Sequence, residues 1–262
     1  LVGLSFNLYG LILGIALVSV LDSFQRKLDE SEKRFLAPAM PWLLLAIIIG
    51  ARMWHVVTDF YLYKENLVAI LYIWNGGLSI FGALLGLFIS IYIYTWISKP
   101  GLLKSELLNI LDKLALYLPL GQFIGRIGNF INHELFGPPT NLPWGMFVPS
   151  QFRSEQFKDF EFFHPAFLYE MMGTGILFLL FKFLPFFNKS SRNGVIFYSY
   201  LLGYGIIRFV VDFFRLDYDA LWILSVGQMV CLLMILFGLY KLRLICHSCK
   251  GGNLVVNHSK ID

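Results

Sequence analysis

Charge is scarce in this chain. Asp, Glu, Lys and Arg make up 15% of its 262 residues, against about 25% in ordinary soluble domains. Cysteine is scarcer still. Cys231 lies within an apolar run, and Cys246-His247-Ser248-Cys249 lies near the end of the chain. A lone C-x-x-C without a second pair or a βαβ context supports neither a zinc site nor a thioredoxin-type centre, so it reads as an ordinary thiol-bearing tail. No internal repeat, low-complexity segment or metal-ligand set is apparent. The net charge of +4 makes no case for a nucleic-acid partner.

What the chain has instead is apolar residues, 57% of the total, and a mean hydropathy of +0.67. About 20 consecutive apolar residues span a bilayer. Seven runs qualify: Leu4–Leu21, Leu36–Val56, Gly76–Ser98, Leu111–Ile131, Ala166–Phe186, Gly194–Phe214 and Asp219–Lys241. The expectation is an all-α integral membrane protein, 1–262, forming a single polytopic membrane domain. Residues 132–165, polar, aromatic and rich in proline, are too long for a simple connector and read as a small extracytoplasmic head between helices four and five. The first span lacks a basic segment and a small-residue cleavage site, so it reads as a membrane helix rather than a removable signal.

Orientation follows from lysine and arginine. One set of loops and helix ends carries most of them, including Arg26, Lys27, Lys33, Arg34, Lys182, Arg192, Lys241 and Arg243. The other set has only Lys64, Arg153, Lys158 and Arg215. The N-terminus and the head are therefore expected outside, and the tail, 242–262, in the cytoplasm.

The informative stretch is Gly125-Arg126-Ile127-Gly128-Asn129-Phe130-Ile131-Asn132-His133-Glu134-Leu135-Phe136-Gly137. An arginine where a helix leaves a membrane costs roughly 2.5–3.5 kcal/mol on insertion scales, which makes it a functional candidate by default. At about 100° per residue, Arg126, Asn129 and His133 share a face, with Asn132 and Glu134 flanking it. Gly121, Gly125 and Gly128 fall on the opposite face, where small residues admit a neighbouring helix.

This segment resembles the signature of bacterial prolipoprotein diacylglyceryl transferases, G-R-x-G-N-F-x-N-x-E-x-x-G, without a departure. The resemblance implies an enzyme of the bacterial plasma (inner) membrane. It would move the diacylglyceryl group of phosphatidylglycerol onto the thiol of a prolipoprotein's lipobox cysteine, forming a thioether and releasing glycerol phosphate. No cofactor is implied. Arg126, Arg208, Glu134 and Tyr9 are then expected to be catalytic, with Asn129, Asn132, Gly137, Arg52, Asp212, Arg215 and His164 binding substrate.

Other segments carry both the resemblance and its alternatives. Tyr9-Gly10 in the first span matches the family, although a tyrosine at a membrane boundary is equally an interfacial anchor. Gly50-Ala51-Arg52 also matches, and the spacing of Arg52, His55 and Asp59 on one face suggests an Arg–Asp tie between helices. Gly76, Gly77, Gly82 and Ala83 suggest close backbone approach or a re-entrant turn. Many family members place a histidine at the position of Phe81, which removes that group as a proton acceptor here. His164-Pro165-Ala166-Phe167-Leu168-Tyr169-Glu170 matches H-P-x-x-L-Y-E; Glu170 near a helix start is favourable on dipole grounds alone, which points to a structural role.

Tyr204, Arg208, Asp212 and Arg215 form one polar stripe. Asp212 stands where the family has glutamate, and a self-satisfied Arg–Asp–Arg ladder is the alternative to a site. A second embedded arginine facing Arg126 needs an anion, and Asp212 or Glu134 is the expected source. Two other functions compete with the enzyme: a catalytically degenerate lipid-binding relative, suggested by Phe81 and Asp212, and a transporter or ion pathway. The missing internal repeat disfavours the latter.

Overall fold

A computed structural model of the chain describes residues 8–73, 77, 79–98, 104–188, 192–216 and 224–252. Its main helices are α1 (Leu8–Lys27), α2 (Glu30–Leu36), α3 (Met40–Thr58), α4 (Ile80–Ser98), α5 (Lys104–Ala115), α6 (Leu118–Ile131), α7 (Ala166–Phe183), α8 (Pro185–Asn188), α9 (Val195–Asp212) and α10 (Val226–Gly252). Among the described residues, 6 helical segments are long and apolar enough to cross a membrane: Leu8–Lys27, Met40–Thr58, Glu106–Ile131, Ala166–Phe183, Val195–Asp212 and Gly227–His247. The expected third span overlaps α4, whose described apolar stretch is Leu85–Tyr94. The start expected for the last span, Asp219, lies outside the described residues, as do Trp74, Asn75, Gly76, Leu78 and the side chain of Phe81.

Backbone contacts divide the chain into two compact units, Leu1–Lys27 with Leu108–Asp262, and Leu28–Leu107. In the first, α1 packs on α6, α6 on α7, α7 on α9 and α9 on α10. The glycine face read from the sequence is what α1 packs against. A Cβ on Gly128 would meet the Tyr9 ring at 2.7 Å, and one on Gly121 would meet Val20 Cγ2 at 2.6 Å. Ala115, Leu177, Phe181 and Tyr200 form a buried cluster between the helices. Large apolar side chains such as Val18, Phe183 and Leu233 remain exposed, as the outer surface of a membrane bundle requires.

The fourth expected span, Leu111–Ile131, is not one continuous helix. α5 ends at Ala115 and α6 starts at Leu118, with Pro119 in its first turn. Proline has no N–H to give to the carbonyl four residues back, Ala115, and its ring collides there, so the ladder is interrupted. Three residues before the break, Asp112 on α5 accepts the backbone N–H groups of Gly194 at 2.6 Å and Phe197 at 2.7 Å. These are orphan donors at the start of α9, so a carboxylate distant in sequence serves as its cap.

Two other boundaries moved. α1 runs past Leu21 to Lys27, so Arg26 and Lys27 occupy its last turn, where cations complement the helix dipole. α10 continues to Gly252, making helical the first part of what was expected to be a tail.

The segment between α6 and α7 carries a short antiparallel ladder, β1 (Met146–Phe147) with β2 (Phe162–Phe163), in the register Met146↔Phe163 and Phe147↔Phe162. Val148 and Phe163 are fully buried within it. Arg153 ties the intervening loop, donating from Nε to the Val148 carbonyl at 2.8 Å and from Nη1 to that of Lys158 at 3.0 Å.

In the second unit α3 and α4 pack through glycine, as the small residues suggested. A Cβ on Gly50 would lie 2.9 Å from Gly86 Cα, and one on Gly86 would lie 3.1 Å from the Ala46 carbonyl carbon. The obstacle is backbone and cannot swing aside. Gly86→Ala is therefore expected to destabilise the detergent-solubilised protein by about 1–3 kcal/mol. At Gly14 on α1 a Cβ meets nothing within 4 Å, so Gly14→Ala should be neutral or stabilising by up to about 1 kcal/mol. Thermal melts of the two variants check this; equal melting temperatures would remove the close-approach argument.

Candidate active site

The site is built at one end of the first unit, where α6 stops and α7 starts. Arg126, one turn before that end of α6, donates from Nη1 to Asn129 Oδ1 at 2.9 Å. Asn129 is buried and passes its amide to Glu134 Oε2 at 3.3 Å, while Asn132 donates to Glu134 Oε1 at 3.2 Å. The chain must turn back sharply for this. His133 and Leu135 both adopt the left-handed conformation, with φ of 52° and 58°, and the Glu134 N–H returns to the Asn129 carbonyl at 2.9 Å. Non-glycine residues rarely take this conformation, and such strain gathers where a particular side-chain arrangement matters. The His133 ring stacks on Phe152, with centroids 5.0 Å apart.

The centre of the cluster is Glu170 in the second turn of α7, 1% exposed. Its Oε1 accepts from Arg126 Nη2 at 2.5 Å and from the Tyr204 hydroxyl at 3.1 Å. Its Oε2 stands 3.8 Å from Arg208 Nη1. The anion joining the two arginines is thus Glu170, where the sequence had suggested Asp212 or Glu134. The signal was present in the L-Y-E of the His164–Glu170 motif, but the helix dipole offered a sufficient reason for a carboxylate there. Only the packing of α6, α7 and α9 brings it between two guanidiniums.

Asp212 holds the far side of Arg208. Its Oδ1 is 3.0 Å from Arg208 Nη2, and its Oδ2 accepts from the Ser225 hydroxyl. Ser225 is itself fixed at the start of α10, accepting the Gln228 N–H at 3.0 Å and donating its own N–H to Gln228 Oε1 at 3.1 Å. Arg215, one turn on, is half-buried and gives its backbone N–H to the Asp212 carbonyl at 3.3 Å. Two guanidiniums and two carboxylates are therefore matched in charge. Two donors are left over: among the described residues no hydrogen bond engages the buried Arg126 Nε or Arg208 Nη1. Tyr9 lies across Gly128, two residues past Arg126 on α6.

His164 and Gly137 lie beside each other where the head joins α7. The Gly137 N–H donates to the His164 carbonyl at 2.7 Å, and the His164 N–H to that of Pro138 at 3.0 Å. A Cβ at position 137 would run into His164 and the Phe214 backbone, so only glycine fits. His164 Nδ1 pairs with the Tyr169 hydroxyl at 3.0 Å, and that hydroxyl accepts from Trp144 Nε1 at 3.0 Å.

Arg52 belongs to the second unit. Its guanidinium is turned into the loop after α3, donating to the carbonyls of Ala69 at 2.7 Å, Ile70 at 2.8 Å and Gly77 at 3.0 Å, and it lies 5.1 Å over the Tyr63 ring. His55 Nδ1 meets the Tyr63 hydroxyl at 3.0 Å, and Asp59 accepts from Thr58 at 2.7 Å. The sequence spacing pointed to a tie between helices; the carbonyls of a folded loop carry no side-chain signal and could not be read from it.

The chain is similar to known proteins over most of its length. The profile of the family described as prolipoprotein diacylglyceryl transferase matches residues 1–244. A phosphatidylglycerol–prolipoprotein diacylglyceryl transferase of Finegoldia magna is 34% identical over 253 residues, covering 93% of this chain and 94% of the relative. The enzyme of that name from Thermosynechococcus vestitus is 32% identical, covering 89% of this chain and 86% of its own length. Its counterpart in Thermotoga petrophila is 37% identical over 195 residues, 74% of this chain, and the match spans 65% of the relative's length. With the signature arginine, asparagines and glutamate gathered at one end of a bundle of membrane-length helices, and with the profile covering nearly the whole sequence, the chain belongs to the prolipoprotein diacylglyceryl transferase family.

Proposed function

We propose that this protein transfers the diacylglyceryl group of phosphatidylglycerol to the thiol of a lipobox cysteine in a prolipoprotein. The observation that carries the reading is the meeting of Arg126 and Arg208, from separate helices, on one buried carboxylate, with a guanidinium N–H of each left over. Free N–H donors in a water-poor site suit an incoming oxyanion. In the reaction the cysteine sulfur attacks the glycerol carbon that bears the phosphate ester. The C–S bond forms as the C–O bond breaks, and glycerol phosphate leaves with the bonding electron pair. The thiol proton passes to a leaving phosphate oxygen or to water. A thiol, with an ordinary pKa of about 8.5, needs little help to lose its proton, which suits phenylalanine at position 81.

In this reading Glu170 and Asp212 orient the two guanidiniums. Arg126 and Arg208 stabilise the charge that develops on the departing phosphate. Asn129 and Asn132 hydrogen-bond the head group, and Glu134 orients the amides or the glycerol hydroxyls. Tyr9, Gly137, His164 and Arg215 lie on the same side of the first unit and contact the lipid around the arginines, and Arg52 orders the loop between α3 and α4. The protein is assigned to the plasma membrane with seven spans, the seventh being α4. The N-terminus and the 132–165 head lie outside, where translocated prolipoproteins are met, and the C-terminus lies in the cytoplasm.

The direct test is to incubate the purified protein with phosphatidylglycerol and a synthetic lipobox peptide. Mass spectrometry should then show a diacylglyceryl adduct on the cysteine; its absence with folded protein rejects the assignment.

Arg126→Lys keeps the charge but loses the planar fork. It should lower the rate by an amount equivalent to about 2–4 kcal/mol, the usual loss for a missing oxyanion donor, while the protein still purifies folded. An unstable variant with near-normal turnover would make Arg126 a strut instead. For orientation, a cysteine at Lys158 should react with an impermeant maleimide in intact cells, and one at Arg192 should not. The reverse pattern would put the head in the cytoplasm.

A further inference from the structure

Away from the arginine cluster, the first unit has a concave site that the reaction above does not use. At the other end of α1, α6 and α7 lies a cavity of about 540 Å³. Twelve residues of α7, from Glu170 to Lys182, separate it from the arginine cluster, roughly 18 Å at 1.5 Å per residue.

Its lining has two characters. Arg26, Lys27 and Lys182 are exposed cations at its mouth, and the hydroxyl-bearing Ser23 and Tyr117 lie among them. Its wall is apolar, formed by Leu116, Leu120 and Phe178. The gap exists because α5 and α6 are broken at Leu116-Tyr117, so a turn stands there in place of a continuous helix surface. Tyr117 rests against Phe178, with ring centroids 6.4 Å apart, and Lys182 Nζ lies 5.6 Å over the same phenylalanine.

Asp22 pairs with Arg26 at 2.9 Å, and the described residues that line the cavity include three cations and no carboxylate. Cations at the ends of α1 and α7 are expected from the helix dipole and from membrane topology. Neither accounts for a roomy cavity that places those cations over an apolar wall.

We infer that this cavity binds the phosphate head group of an anionic phospholipid from the adjoining leaflet. Arg26, Lys27 and Lys182 face the phosphate, and the acyl chains follow Leu120 and Phe178. Basic pockets between membrane helices recognise anionic head groups in this way, each cation adding to the attraction. The site is separate from the one that takes the substrate lipid, and the inference stands whether or not the proposed reaction is correct.

The test is a photoactivatable phosphatidic acid analogue incorporated with the purified protein into phosphatidylcholine nanodiscs, with crosslinks mapped by peptide mass spectrometry. Label is expected on the peptides carrying Leu116–Leu120 and Phe178–Lys182. The triple variant Arg26→Gln, Lys27→Gln, Lys182→Gln should cut that label by at least about tenfold. A control with Arg34, Lys241 and Arg243 each changed to Gln should leave it within about twofold of wild type. Lys182→Glu alone should reduce it several-fold and serves if the triple variant is unstable. Equal labelling by a photoactivatable phosphatidylcholine, or an unchanged triple variant, would overturn the inference. Loss of the label on adding excess inorganic phosphate would assign the cavity to a free anion and overturn the lipid assignment.

Discussion

One buried carboxylate holds the candidate site together. Glu170 is 1% exposed and lies among membrane-length helices, where an unpaired charge is expensive. It is tolerated because Arg126, Tyr204 and Arg208 approach it from α6 and α9. The dependence runs both ways, since each arginine would be equally costly without an anion. Removing either arginine or Glu170 leaves an uncompensated charge, which couples α6, α7 and α9 to one another. The ion pairs therefore act more as a register device than as a net source of stability, which fits the modest worth of buried pairs measured against apolar replacements.

The rest of the first unit serves that meeting. α1 comes close to α6 because glycines at 121 and 128 leave room for Val20 and the Tyr9 ring. α9 begins where Asp112 reaches across from α5 to cap it. Asp212, one methylene shorter than glutamate, still reaches Arg208 at 3.0 Å and leaves its second oxygen for Ser225. The charge match among these groups is complete before any substrate enters. In the proposed reaction an incoming phosphate would meet oriented N–H donors rather than a surplus of positive charge, and orientation of that kind is what distinguishes arginine from lysine at a phosphate. The basic cavity at the opposite end differs in having exposed cations at its mouth.

Much was legible beforehand for a simple reason: a bilayer imposes its length on the sequence. Apolar runs of about 20 residues report membrane helices without any knowledge of their partners. A charged residue inside such a run reports a functional position by its cost alone. Arg126 and Asn129 could be grouped by the roughly 100° turn of one helix. Asn132 and Glu134 lie past its end at Ile131, where the turn through left-handed His133 and Leu135 brings them in and leaves the His133 ring on Phe152 rather than on the shared face expected for it. The glycines behind them were readable on the same grounds, since periodicity within an element survives whatever that element packs against.

What only the tertiary structure decided is which distant groups meet. The sequence placed a carboxylate at 170 and a plausible reason for it at the same position, and nothing local distinguishes a dipole partner from the hub of an arginine pair. The break at Leu116-Tyr117 was hidden because hydropathy does not register Pro119, about two turns inside the expected span Leu111–Ile131. Arg52 was matched by spacing to Asp59, yet its donors went to loop carbonyls, which every residue possesses and no pattern marks. The sequence by itself determined six membrane-length helices, the arginine–asparagine face of α6 and the family. The pairing of Glu170 with Arg126 and Arg208 came from packing, because charge compensation in a low-dielectric interior depends on distances of a few ångströms between helices far apart in the chain.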